Sequence, residues 1–288
     1  MVTGGNSGIG EETVRALALA GCANVLLCAR NLEAAGAVAA EVNATVKADV
    51  VRVVKLDLAD LDSVRSAAAE IKKHHSGIDF LVLNAGVMAC PLMRTKQGFE
   101  MQFGTNHVGH FLFAKLLLGN VVAAGTESHP SRVVVVSSIA HAMGRIRLED
   151  LNYEHRYYEA WSAYGQSKLA NILFARQLAK RLEAEGRRNV LVYCLHPGSI
   201  MTGLQKYSLF SRVFQGLFGK LSFLRGRFAY STKTIPEGAA TTMVALLVDG
   251  IESGSYLSDC QVAKTIKQGE DEEMMKKLWE ATEQLVKE

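Results

Sequence analysis

Residues 3–10 read Thr3-Gly4-Gly5-Asn6-Ser7-Gly8-Ile9-Gly10, and a helical pattern opens directly behind them. Gly4, Gly8 and Gly10 stand at G-x-x-x-G-x-G spacing, one residue longer than the commoner phosphate-binding fingerprint. Glycines at a strand-to-helix turn let the backbone bend sharply and approach an anion. The helix N-terminus behind them offers free N–H groups and a partial positive charge. A glycine cluster alone is equally an ordinary turn, so its weight depends on the chain around it. Only Met1 and Val2 precede Thr3, where a strand of about five residues is usual. The expectation is a truncated first strand, from a chain shortened at its N-terminus.

Outward from the turn, residues 24–29, 51–56, 78–83, 132–137 and 189–195 are short runs rich in Val, Ile and Leu. They read as strands buried on both faces. Between and after them, 61–73, 99–122, 161–183 and 237–248 carry apolar residues at helical spacing. Strict alternation predicts an α/β fold: a single Rossmann-type, doubly wound parallel sheet flanked by helices, in one domain over residues 1–288. Two segments break the rhythm. Residues 140–158 are polar and aromatic and read as a long loop. Residues 202–234 read as an insertion, and 203–236 contain no acid while holding Lys206, Arg212, Lys220, Arg225, Arg227 and Lys233. Phe210, Phe214 and Phe218 recur there at helical spacing, as a substrate lid or simple packing would require.

Composition narrows the class. Of 288 residues, 49% are hydrophobic and 21% charged, which excludes a disordered or fibrous chain. A formal net charge of +3 is too weak a bias to argue for a nucleic-acid partner. Five scattered cysteines without a C-x-x-C pair predict neither a disulfide framework nor structural zinc. They fit a reducing compartment, hence the cytoplasmic side, soluble or peripheral to a membrane, with the organelle left open. No uninterrupted apolar run reaches the ~18 residues of a membrane span, and Thr3–Asn6 breaks any secretory signal. The basic, apolar stretch 206–228 offers a surface for peripheral membrane contact, and a homodimer stays open.

Tyr164-Gly165-Gln166-Ser167-Lys168 lies in a helical run, so Tyr164 and Lys168 share one face a turn apart. A neighbouring ammonium favours the phenolate, and the expectation is a lowered tyrosine pKa. An isolated Y-x-x-x-K is more often a plain surface pair. Ser137-Ser138 tips the balance, because it ends a strand, and strand carboxyl ends are where α/β sheets bind ligands. At the end of the second strand, Cys28-Ala29-Arg30-Asn31 lacks the acid that would bind a free ribose hydroxyl. Arg30 could grip a 2′-phosphate instead. NADP(H) is therefore preferred, with NAD(H) the alternative; Ser7, where a basic residue would strengthen that preference, tempers it. His107 and His110, three apart, lack a cysteine or carboxylate partner at ligand spacing, so no metal site is expected.

Taken in order, Thr3–Gly10, Leu56-Asp57-Leu58, Asn84-Ala85-Gly86, Thr105–Phe111, Ser137-Ser138, Tyr164–Asn171 and His196-Pro197-Gly198 resemble the short-chain dehydrogenase/reductase family over essentially the whole chain. The subgroup is that of retinol dehydrogenases, WW-domain oxidoreductases and chloroplast translocon-associated dehydrogenases. The resemblance implies that Tyr164 is the general acid/base and that Lys168 lowers its pKa and holds the nicotinamide ribose. Ser138 would orient the substrate oxygen, and Asn106 would support a water leading protons to Lys168. Gly4, Asn6, Ser7, Gly8, Ile9 and Gly10 would cradle the pyrophosphate, and Arg30 would meet the 2′ position. Asp57 and Leu58 would bind the adenine, and Asn84, Ala85 and Gly86 would shape the central cofactor site. Pro197, Gly198 and Thr202 would hold the carboxamide.

Two functions of different class follow. One is an NADP(H)-dependent oxidoreductase moving hydride to or from a lipophilic alcohol or carbonyl, such as a retinoid, steroid or aldehyde. The other is an NADPH-binding regulatory or sensor subunit with little turnover. Retention of Asn106, Ser138, Tyr164 and Lys168 together favours the enzyme. The intact serine pair also disfavours a light-dependent protochlorophyllide reductase.

Overall fold

The computed structural model describes residues 1–198 and 233–287. Eight strands form one sheet: β1 (Val2–Thr3), β2 (Val25–Ala29), β3 (Val51–Lys55), β4 (Phe80–Leu83), β5 (Ser131–Val136), β6 (Val190–His196), β7 (Tyr256–Ser258) and β8 (Gln261–Ala263). Their order is β3-β2-β1-β4-β5-β6-β7-β8. Pairing is parallel up to β7 and antiparallel between β7 and β8. The five apolar runs are all strands, within two residues of their expected bounds. The antiparallel edge is new. Its strands are three residues long, and the two-residue turn between them uses Asp259 and Cys260 at φ of 51° and 61°. A cysteine in a left-handed turn position gives no turn signal to a reader of sequence.

The described helices are α1 (Gly8–Leu19), α2 (Leu32–Val46), α3 (Leu61–His74), α4 (Met101–Ala124), α5 (Ala160–Ala184), α6 (Ile235–Leu247) and α7 (Glu272–Leu285). The sheet separates two apolar clusters, and β5 shows why. Val133 and Val135 point into the cluster with α3, α4, α5 and α7, while Val134 and Val136 point into the one with α1, α2 and α6. The alternation of side chains along a strand thus buries every valine of the run. Helix α4 is long and apolar enough to cross a bilayer, yet it lies against the sheet, with Phe103, Phe111, Phe113 and Leu117 buried in the core. Residues 140–158 are a loop with two short 3-10 turns, Ile139–Met143 and Leu148–Asp150.

Strand β1 is two residues long but central, bonded to β2 on one side and β4 on the other. The Met1 nitrogen donates to the Phe80 carbonyl at 2.8 Å, continuing the pairing with β4. Chain order reverses between β1 and β4, and this is the topological switch point where such sheets open a crevice at their carboxyl ends.

Candidate active site

The turn after β1 comes first. Gly4 has φ of +66°, and a Cβ there would stand 2.9 Å from Ala85 Cα. A Cβ on Gly10 would overlap the Gly4 carbonyl and come within 2.5 Å of Asn84 Nδ2. Both positions therefore require glycine so that α1 can start tight against the loop after β4. Asn31, Asp60, Glu100, Glu159, Thr234 and Asp271 each accept hydrogen bonds from the first turns of α2 to α7. Ser7 makes no such side-chain cap on α1. The N–H groups of Gly8, Ile9 and Gly10 are thus left for an anion.

Thr3 ties this turn to the next loop. Its Oγ1 accepts from Asn84 N at 2.9 Å and Ala85 N at 3.0 Å, and Asn84 Nδ2 donates to Thr3 O at 2.9 Å. With two N–H groups already donating to it, the hydroxyl gives its own proton to His110 Nε2, 2.8 Å away. His110 then carries hydrogen on Nδ1 and donates it to Asn106 O at 2.9 Å. Burial, with the charge of Lys168 adding to it, pulls His110 down to about 4, so the ring stays neutral.

Asn106 sits inside a π turn (Gly104–Val108) of α4. Its Oδ1 accepts from Val87 N at 2.8 Å, and its Nδ2 donates to Val87 O at 2.9 Å and Ser167 Oγ at 2.9 Å. The side chain clamps the loop carrying Asn84, Ala85 and Gly86, while its backbone carbonyl receives His110 Nδ1–H. A Cβ on Gly86 would lie 3.1 Å from Asn106 Oδ1 and 3.5 Å from Lys168 Nζ, which fixes how closely these three groups gather.

Helix α5 presents Tyr164 and Lys168. It approaches the loop after β5 through Gly165, where a Cβ would stand 2.6 Å from Ala140 O. Tyr164 thereby faces the Ser138 hydroxyl, which favours its ionised form. Burial dominates nonetheless and pushes the phenol up to about 12. Lys168 Nζ donates to Val136 O at 3.0 Å and stands 5.7 Å from the Tyr164 ring centre. Burial brings it down to about 8. The expected lowering of the Tyr164 pKa by Lys168 does not appear: the ammonium is turned to a backbone carbonyl, and desolvation of the phenol outweighs Ser138. Ser137 Oγ donates to Lys168 O at 2.7 Å, which leaves Ser138 as the serine facing the tyrosine.

At the far end of the crevice, Lys55 Nζ donates to Arg30 O at 2.6 Å. Arg30 forms no ion pair among the described residues, so two cations end β2 and β3 side by side. Asp57 Oδ1 accepts from Ala59 N at 3.0 Å, and Leu58 is buried behind it. Beyond β6, His196 Nδ1 accepts from Ile139 N at 3.2 Å, and Gly198 has φ of +101° beside the Lys233 side chain. Pro197 adjoins it. Thr202, the stretch 206–228 and nearly all of the insertion 202–234 lie outside the described residues.

Reasoning from sequence missed Thr3, His110, Lys55 and Ser167 as members of this network. His110 was legible in part, since it follows Asn106 by four residues on one helix. His107 and His110 are spent on hydroxyl groups, Thr282 and Thr3. The donor set fits a nicotinamide dinucleotide: an uncapped helix start behind a glycine cradle, two cations at the ends of β2 and β3, and buried Lys168 near the switch point.

A family model described as short chain dehydrogenase matches residues 1–210. Retinol dehydrogenase 11 of Mus musculus is 42% identical over 284 residues, 98% of this chain and 84% of that one. Retinol dehydrogenase 12 of Bos taurus is 39% identical over 288 residues, 99% and 85% respectively. Among solved structures, an uncharacterized protein from Mycobacterium paratuberculosis superposes with a TM-score of 0.77 at 36% identity, covering 99% of this chain and 91% of the other. Pseudomonas aeruginosa RhlG, solved as an NADP active-site complex, has a TM-score of 0.66 at 24% identity over 89% and 92% and shares the fold.

Proposed function

The chain belongs to the short-chain dehydrogenase/reductase family, oxidoreductases of CH–OH and C=O groups, and from that premise we propose an NADP(H)-dependent enzyme acting on a lipophilic alcohol or carbonyl of retinoid, steroid or aldehyde type. The observation that carries this reading is the convergence of Tyr164, Ser138 and Lys168 on one end of the sheet, beside Gly86 and the start of α1.

When bound, the nicotinamide supplies or accepts the hydride. The chain's own residues handle the proton and the oxygen. In reduction, the Tyr164 phenol gives its proton to the substrate oxygen while the Ser138 hydroxyl donates a hydrogen bond to it. Lys168, still cationic at neutral pH, stabilises the phenolate that results. Burial keeps the Tyr164 phenol protonated at neutral pH, the form that reduction needs, while Lys168 and the bound nicotinamide would have to favour the phenolate for oxidation.

Arg30 and Lys55 support the phosphorylated coenzyme, because two cations without a carboxylate partner among the described residues suit a 2′-phosphate. Leu92 and Met93 after β4, with Ile139 and Met143 after β5, are exposed apolar side chains on loops at the carboxyl edge, and they support a greasy substrate mouth. The retinol dehydrogenase relatives point the same way. We assign the insertion 202–234 as the lid of a single domain, and 206–228 as its surface for peripheral membrane contact.

The test is oxidation of NADPH and of NADH against retinal, steroid ketones, fatty aldehydes and small quinones. Tyr164→Phe should lower kcat by about 10²-fold or more while leaving the NADPH Kd unchanged. Tight NADPH binding without turnover across the whole panel would instead favour a sensor.

A further inference from the structure

The loop after β4 carries one strained residue. Ala89 is buried and holds φ of +47°, a left-handed conformation that is costly for a residue with a Cβ. Such outliers persist only where the surrounding structure holds them, and they gather at ligand clamps. The side chain that holds Ala89 is Gln102, fully buried in the first turn of α4. Gln102 Oε1 accepts from Ala89 N at 2.8 Å, and its Nε2 donates to Tyr158 OH and to Ala160 O, both at 2.9 Å. A backbone donor at one end and a backbone acceptor at the other leave a single orientation for the amide. Tyr158 OH lies 2.9 Å from Cys90 O and 3.3 Å from Glu100 Oε1, and its one hydrogen goes to the nearer, Cys90 O. Met101 N donates to Met93 O at 3.0 Å and ties down the far end of the loop. Between these anchors the side chains of Leu92 and Met93 stay exposed.

Asn106 grips the same loop at Val87, four residues further along α4 than Gln102. One helix therefore holds the loop with two amides, Asn106 on the side of Asn84–Gly86 and Gln102 on the side of Leu92 and Met93. Through Tyr158 and Ala160, Gln102 also fixes the loop to the start of α5, the helix that carries Tyr164. Resting on the reading of a lipophilic substrate above, we propose that Gln102, with Tyr158, is a positioning residue for substrate specificity. The pair sets the distance between the apolar mouth at Leu92 and Met93 and the Tyr164 hydroxyl. A long apolar substrate meets both ends of that distance, its carbonyl at Tyr164 and Ser138 and its body along the loop. A short aldehyde meets only the first. Loosening the loop weakens the long substrate selectively, because remote contacts orient a substrate only while their support is fixed.

Full-chain variants test this with retinal and hexanal, each reduced with NADPH. Tyr158→Phe removes one hydroxyl and its bond to Cys90 O. The ratio of kcat/KM for retinal to that for hexanal should fall by about three- to tenfold. The loss should sit in the KM for retinal, with kcat for hexanal within about twofold of wild type. Gln102→Met keeps the length of the side chain, removes both polar ends, and should lower the ratio at least as far. Hydrogen exchange reads the placement without turnover: the Ala89 amide should exchange about tenfold or more faster in Gln102→Met, while the amides of β5 keep their protection. An unchanged ratio in Tyr158→Phe overturns the proposal, whatever its thermal stability. So does an equal loss on both substrates, the mark of a general loosening of the fold, and so does unchanged Ala89 exchange in Gln102→Met. If Gln102→Met fails to fold, Tyr158→Phe carries the test alone. A wild type without preference for retinal over hexanal overturns the substrate reading together with this one. A preference present in the wild type and kept in Tyr158→Phe overturns the positioning role alone.

Discussion

Lys168 is buried with a backbone carbonyl and, among the described residues, no carboxylate as its partner, so its charge costs the fold stability. Its folded pKa of about 8 lies below the ordinary 10.5, and the sign follows from that order. Below pH 8 both folded and unfolded states hold the proton, and the full desolvation penalty is present. Between pH 8 and 10.5 the folded state loses its proton first, so the penalty disappears as pH rises. Lys168→Met should therefore stabilise the protein at pH 7 by up to about 3 kcal/mol, lose its gain near pH 10.5, and abolish turnover. Urea unfolding at pH 7 and at pH 10 measures this; a variant less stable than wild type at both would contradict it. Tyr164, Lys168 and Ser138 could be singled out by spacing because each sits at a fixed offset on an element the pattern defines. Thr3 and His110 could not: 107 residues separate them, and only the packing of α4 beneath the first turn makes them partners.

Among the elements, α7 bears the most weight for its length. Trp279 meets Phe111 edge-on at 4.8 Å, stacks on Phe174 at 5.8 Å and carries Arg181 over its face at 4.4 Å. Trp279→Ala should destabilise the fold by about 3–5 kcal/mol, read as a fall in the urea midpoint with the slope unchanged. Helix α4 makes the fold sensitive to acid. His107 and His110 sit at about 3 and about 4 and His196 at about 4, each held below 6.5 mainly by burial. The unfolded chain takes up these protons as pH falls through 6.5 while the folded chain does not. Stability should therefore drop between pH 6.5 and 4, before the carboxylates titrate, with the uptake of about three protons on unfolding. The long apolar strands and amphipathic helices were legible because one periodicity served one burial pattern. Strands β7 and β8 were not, since three residues carry no period and their pairing depends on β6 being in place beside them.

For the molecule as a whole, the strand order puts the first turn, the Asn84 loop and the Ser138 loop on neighbouring strands of one crevice, although 135 positions separate Thr3 from Ser138. Binding there should stabilise the folded state alone. NADPH at 100 times its Kd should add about 2.7 kcal/mol, and Arg30→Ala should reduce the gain from NADPH while leaving that from NADH unchanged. The fold class followed from alternation because a parallel sheet covered on both faces has few other solutions. The protonation state of the Tyr164 and Lys168 pair did not follow, because desolvation depends on the assembled site and not on spacing. One measurement bears on the centre of the account: reduction of retinal with NADPH dideuterated at nicotinamide C4, the product being analysed by mass spectrometry. A single deuterium on the new carbinol carbon is expected with the wild type, and almost none with a Tyr164→Phe variant that still binds NADPH. Retinol free of deuterium, or equal transfer by both proteins, would contradict the account.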